Sequence, residues 1–267
     1  MRLVHYAISS FLLSGLFISW ASLVGAIYFY LKIIKQLYKG TDNFEALRAA
    51  LLFVLFPTGI FLIATYSTSL FACLALGAFY FALRRRYLPA TLLTALATAT
   101  HDDGVFVLVL ILLLMLEQKQ KLAKILPTLA IGSLGLAAYT VFLGIHFHDP
   151  LAFISAQKAN GWLQYHVRTL KNLISMQGLF VALVALSAGY WWRRRKSFAI
   201  YSLLYVGIIL LGETGGFGRY ALMAFPVQLM AYDYFRNKKL GYLLALALSS
   251  AFWMYFVLQY AAGYTGG

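Results

Sequence analysis

Long apolar runs broken by short polar patches organise this chain. The first run, Tyr6 to Leu31, ends at Lys32, Lys35 and Lys39. It is longer than a signal-peptide core, so it predicts a membrane span. In the polar stretch that follows, Asp42 or Asn43 can cap a helix beginning near Phe44. That helix carries Arg48 and runs apolar to Phe56-Pro57, where the proline kinks or breaks it. Tyr66-Ser67-Thr68-Ser69 reads as a turn, and Leu70 to Leu83 leads to Arg84-Arg85-Arg86. The next run, Leu88 to Leu116, is interrupted at Thr100-His101-Asp102-Asp103-Gly104 and is followed by Lys119, Lys121 and Lys124. Ile125 to Ile145 is a further span that opens into an amphipathic extracytoplasmic region, 146–173. Ile174 to Trp192 stops at Arg193-Arg194-Arg195-Lys196. Phe198 to Leu211 leads into a glycine-rich polar turn, Gly212 to Arg219, and Tyr220 to Phe235 returns to Arg236, Lys238 and Lys239. Leu240 to about Ala262 is the last span. Continuous runs of this kind predict helices, not the short alternating strands of a barrel. The expected fold class is all-α: a polytopic transmembrane helical bundle of about 8–10 membrane helices or half-helices. Residues 1–267 then form a single integral membrane domain.

Composition supports the pattern. The chain is 62% hydrophobic and 11% charged, against about 45–50% and about 25% in soluble domains. Its mean hydropathy is +0.78. The single cysteine, Cys73, excludes an intrachain disulfide and a multi-cysteine metal site. The net charge of +14 would suit nucleic acid, but its placement argues against that partner. Seventeen of the 22 Lys and Arg lie at or near the polar ends of the apolar runs, leaving Arg2, Lys158, Arg168, Lys171 and Arg219. Such clusters mark cytoplasmic loops under the positive-inside rule, and they meet anionic membrane lipids there.

With every basic cluster inside, segments 46–83, 88–116 and 198–235 become hairpins. Their apices are Tyr66-Ser67, His101-Asp102-Asp103 and Glu213 to Arg219, all on the extracytoplasmic face. The amino terminus falls on that face too. The arms 88–100 and 105–116 are about 18–20 Å long, short of a ~30 Å hydrocarbon core, which would set the Asp pair in a recess.

Ionisable groups at membrane depth mark candidate sites. Asp102 and Asp103 could take a proton from an acceptor hydroxyl, hold a divalent cation through their oxygens, or form a solvated hairpin tip. His101 could carry a proton or hydrogen-bond the neighbouring acid. Asp149, beside His146 and His148, reads as a cap for a helix opening at Pro150, with a metal-binding alternative. Gln157, Lys158, Trp162, Tyr165, His166, Arg168 and Lys171 read as an interfacial amphipathic helix. Alternatively, its cations clamp an anionic ligand and Trp162 stacks on a ligand ring. Glu213 and Arg219 could pair across their glycine-rich turn. Asp233 pairs with Arg236 along a helix surface.

Four segments in order carry a family resemblance. They are Phe56-Pro57-Thr58 with Tyr66-Ser67-Thr68-Ser69-Leu70-Phe71; the Arg84–Arg86 turn with Thr100…Gly104; Asp149-Pro150-Leu151-Ala152-Phe153…Gln157…Trp162; and Gly218-Arg219-Tyr220…Phe225-Pro226. From about residue 10 to 240 the chain resembles the bacterial relatives of glycosylphosphatidylinositol mannosyltransferase II, the PIG-V-like family. The resemblance implies a GT-C-like membrane glycosyltransferase in a bacterial or archaeal plasma membrane. It implies transfer of a hexose, typically mannose, from a polyprenyl-phosphate-sugar donor to an extracytoplasmic lipid-linked or protein acceptor. Arg219, in a matched motif, becomes the expected phosphate ligand, with Asp149, Gln157, Lys158, Trp162, Arg168, Glu213 and His101 as substrate contacts. The chain departs from the family in two places. Thr68 stands where the family usually shows Glu, and His101-Asp102-Asp103 where it usually shows Arg. The resemblance further implies a span and an acidic first loop that would precede residue 1. The competing expectation is a non-catalytic member: an accessory membrane subunit, a lipid-linked-sugar binder or a translocation partner; an accessory membrane subunit could also be a partner of the chain. A solute transporter ranks last, because inverted repeats are not evident.

Overall fold

The computed structural model describes residues 9–159, 176–211 and 216–263. Trp162, Tyr165, His166, Arg168, Lys171 and Glu213 lie outside the described residues, as does the side chain of Gln157. The regular structure among the described residues is helical. In chain order it comprises α1 (Phe11–Leu37), α2 (Asn43–Val54), α3 (Ile60–Ile63), α4 (Thr68–Leu83), α5 (Tyr87–Thr100), α6 (Gly104–Glu117) and α7 (Leu122–Phe147). Then follow α8 (Ala152–Ala159), α9 (Met176–Trp192), α10 (Lys196–Leu211), α11 (Phe217–Met223), α12 (Pro226–Phe235) and α13 (Lys239–Ala261).

Helices α1, α7 and α13 are long and apolar enough to cross a membrane; α4, α6, α9 and α10 are shorter apolar helices. The long helices turn large apolar side chains outward, among them Leu12, Phe17 and Val24 on α1 and Leu126, Leu134 and Val141 on α7. Faces of that size are costly in water and normal against lipid. The chain is an all-helical integral membrane protein.

Local chemistry sets the boundaries. Asp42 caps α2 by accepting from the Glu45 amide at 2.7 Å. Ahead of Pro57 the helix stops at Val54, and the chain passes through tight turns into the four-residue α3. The turn expected at Tyr66–Ser69 is shorter than that: α4 already begins at Thr68. Inside the bundle, Thr98 donates to the Gly132 carbonyl at 3.0 Å and Thr91 meets Thr128 at 3.3 Å. These hydroxyl bonds join α5 to α7 where small residues let the backbones approach.

The basic clusters gather at one end. Tyr87 donates to Gln118 Oε1 at 2.5 Å, and Gln118 donates to the Ala82 carbonyl at 3.1 Å. The Glu117 carboxylate accepts from the amide and hydroxyl of Ser197 at 2.7 and 2.9 Å. The end of α4, the start of α5, the end of α6 and the start of α10 therefore meet beside Arg84–Arg86, Lys119 and Arg193–Lys196. Tyr190 donates to Asp233 at 2.6 Å, Asp233 pairs with Arg236 at 3.6 Å, and Arg236 lies 4.7 Å from the Tyr38 ring centre. That chain draws in the ends of α9, α12 and α1. The α5–α6 apex lies at the other end of those helices.

Candidate functional site at the α5–α6 apex

The apex is made by a backbone reversal on the last turn of α5. His101 is extended and its amide bonds Ala97 O at 3.1 Å; Asp102 and Asp103 turn the chain; α6 starts at Gly104. A Cβ on Gly104 would sit 2.6 Å from both Ala97 O and Thr98 Cα. Only glycine permits so close an approach of two backbones.

The reversal points the two acids in different directions. Asp103 is fully buried at its side chain, whereas Asp102 is 29% exposed. A solvated tip therefore describes at most half of the pair. Asp103 Oδ2 accepts from the Tyr205 hydroxyl of α10 at 2.7 Å, and Asp103 Oδ1 pairs with His101 Nδ1. The same Nδ1 lies 2.9 Å from Asp102 Oδ1. Burial alone would favour neutral imidazole. The charges and hydrogen bonds of Asp103 and Asp102 outweigh it, pushing His101 up to about 10. At neutral pH His101 is thus held protonated beside Asp102 and Asp103. This is how a buried acid becomes tolerable in a low-dielectric setting. The His101 ring packs 5.3 Å from Phe71 at the start of α4. His101, Asp102 and Asp103 each offer a metal-ligand atom, all within 4.8 Å of one another.

Arg219 lies on α11, whose start is docked by Thr58. The Thr58 hydroxyl donates to the Gly218 carbonyl at 2.7 Å, and a Cβ on Gly218 would stand 2.5 Å from Thr58 Cγ2. The Arg219 guanidinium lies 5.4 Å from the Tyr66 ring centre and 5.7 Å from that of Phe61. Its Nε is buried without a hydrogen-bond partner, and no acid among the described residues forms an ion pair with it. Tyr220, the next residue, stands within electrostatic reach of Asp102, Asp103 and Arg219. The loop bearing Tyr66 is held by Ser19, whose hydroxyl donates to Tyr66 O at 3.2 Å, and by Trp20, which donates to Ile63 O at 3.0 Å.

The structure thus brings His101, Asp102, Asp103 and Arg219 to one end of the bundle. Asp149 is engaged locally, accepting from the Leu151 amide at 2.9 Å and the Ser155 hydroxyl at 2.8 Å. These bonds form a turn at Pro150–Leu151 ahead of α8, which opens at Ala152 and not at Pro150 as the Asp-Pro context predicts. Lys158 is exposed on α8. Sequence reasoning missed Tyr205 and Tyr220 as site neighbours. Tyr201 and Tyr205 are spaced four apart in an apolar run, and a buried phenol needs a partner. That spacing was the available signal.

Fold and site define an integral membrane protein of helices with an acid–imidazole cluster and an arginine at one end of its bundle. Residues 3–144, more than half of the chain, match the family model described as Mannosyltransferase (PIG-V). The chain belongs to the PIG-V mannosyltransferase family, a family of glycosyltransferases. The matched stretch contains the apex, whereas Asp149 and Arg219 lie beyond it. No curated protein and no solved structure matches the chain.

Proposed function

We propose that this protein transfers mannose from a polyprenyl-phosphate donor to a hydroxyl of a lipid-linked or protein acceptor, on the face opposite the basic loops. The observation that carries the reading is the pairing of two unlike half-sites at the apex end. One is a partly exposed carboxylate, Asp102; the other is a cation, Arg219, lacking an acidic partner among the described residues and standing beside Tyr66 and Phe61.

Each half has a role. The Arg219 guanidinium holds the donor's phosphate by charge-assisted hydrogen bonds, while its aromatic neighbours tolerate the apolar chain. The acceptor oxygen forms a bond to the anomeric carbon as the bond from that carbon to the phosphate oxygen breaks. The electron pair leaves on the polyprenyl phosphate, and the acceptor's proton passes to the apex carboxylate. His101, positively charged between the acids, keeps the negative cluster compatible with a negatively charged donor.

One observation favours a second reading, a non-catalytic binder of lipid-linked sugar: both acids are already paired with His101. Purified protein in liposomes with radiolabelled mannosyl-phosphoryl-polyprenol separates the two. Transfer is expected for the parent. Arg219→Ala is expected to raise the donor KM about 10–100-fold, the equivalent of losing a hydrogen bond to a charged group. A parent that binds the donor and transfers to no acceptor establishes the binder reading instead.

A further inference from the structure

The two acids of the apex are chemically identical and structurally unequal. We propose that Tyr205 and Asp103 are positioning residues, and that Asp102 is the carboxylate that meets the acceptor. The inference rests on the transfer reading above and assigns its proton acceptor.

Asp103 has no exposed side-chain surface, so an acceptor hydroxyl cannot reach it. Its Oδ2 accepts from the Tyr205 hydroxyl at 2.7 Å, and its Oδ1 stands in ion-pair contact with His101 Nδ1, short of a hydrogen bond. Tyr205 is itself fully buried, its ring set edge-on to Phe106 at 5.2 Å, and Asp103 Oδ2 is the nearest acceptor to its hydroxyl. A relay then runs outward from Tyr205 through Asp103 and His101 to Asp102 Oδ1, and exposure rises along it, from 0% at Asp103 to 16% at His101 and 29% at Asp102. Each inner member orients the next. The relay also has an inward branch. The Tyr201 hydroxyl has a single proton to share between two acceptors, Tyr205 Oη at 3.4 Å and the Met223 carbonyl at 3.3 Å. Met223 closes α11, which carries Arg219. The tyrosine pair thereby links the acid apex to the helix that presents the cation, and sets the spacing between proton acceptor and leaving phosphate. In the transfer step the O–C1 bond forms, the C1–O phosphate bond breaks with its electron pair on the phosphate, and the hydroxyl proton goes to Asp102.

Two readouts on the full chain in liposomes test this. In the first, a water-soluble carbodiimide with an amine nucleophile labels accessible carboxyls, which peptide mass spectrometry locates. Asp102 is expected to be labelled and Asp103 spared in the parent, with Asp103 labelling rising in Tyr205→Phe. The second readout is kinetic. Tyr205→Phe keeps the ring and removes one hydroxyl. It should lower kcat about 10-fold or more while leaving the donor KM within about 2-fold. The double variant Tyr205→Phe/Asp103→Asn should be no slower than Asp103→Asn alone, because the two residues act as one unit. Loss of packing alone would cost folded protein and would not split kcat from KM. Equal labelling of both acids in an active parent, or additive kinetic losses, overturns the positioning and leaves the transfer reading standing. A parent with the expected labelling and no transfer overturns the transfer reading and leaves the positioning.

Discussion

At the residue scale, the apex is governed by one imidazole between two carboxylates. The folded protein holds the His101 proton up to about 10, against an ordinary value of 6.5. Folding therefore binds a proton that the unfolded chain has released above pH 6.5. The stabilisation is fully present below that pH and is lost progressively as pH rises toward about 10. Thermal unfolding of the parent and His101→Gln across pH 6–10 checks the sign. The parent's advantage over the variant should shrink steadily through that window, and a constant difference would show that His101 carries no such proton. The Asp pair stood out in the sequence because charge in an apolar run is conspicuous. Which acid faces outward was not legible, since adjacent residues in a reversal diverge according to backbone angles that residue identities leave open. Tyr205 was hidden for a related reason. A tyrosine among leucines and isoleucines looks like core until its hydroxyl's partner, 102 positions away in the chain, is known.

At the element scale, the short α5–α6 hairpin depends on the contact at Gly104. The atoms a Cβ would strike are backbone atoms of α5, which cannot rotate aside. Gly104→Ala should cost about 1–3 kcal/mol, the range for overpacking a tight contact. Gly189→Ala on α9, where a Cβ meets nothing within 4 Å, is the control. Equal unfolding midpoints for the two variants would show that the close approach at the apex is not required. Most spans were readable from apolar run length, and the Asp42 cap from its place before a helical run. The chain around Pro57 was less so. Proline marked a break, but the short α3 and the early start of α4 depend on tertiary partners: Thr58 reaches Gly218, and Ser69 reaches the Leu62 carbonyl.

At the scale of the whole molecule, the bundle is polarised. Its basic turns converge through Tyr87, Gln118, Glu117, Tyr190 and Asp233, while Asp102, Asp103 and Arg219 lie at the far end. The clusters were legible in the sequence as punctuation between spans; their convergence needed the helix partners that only the fold supplies. If positive charge sets the orientation, the apex faces outward. In a Cys73→Ala background, a membrane-impermeant maleimide added to intact cells should label Thr100→Cys and spare Lys121→Cys, with the pattern reversed in inverted vesicles. Labelling of both positions from one side would refute the polarity.

The functional reading meets its most direct trial in the turnover of Asp102→Asn beside the parent, in liposomes with mannosyl-phosphoryl-polyprenol and an acceptor. The substitution keeps the shape and removes the proton-accepting charge, so kcat should fall about 10²–10⁴-fold with little change in the donor KM. An Asp102→Asn protein that transfers mannose at the parent rate would contradict the apex as the site of chemistry.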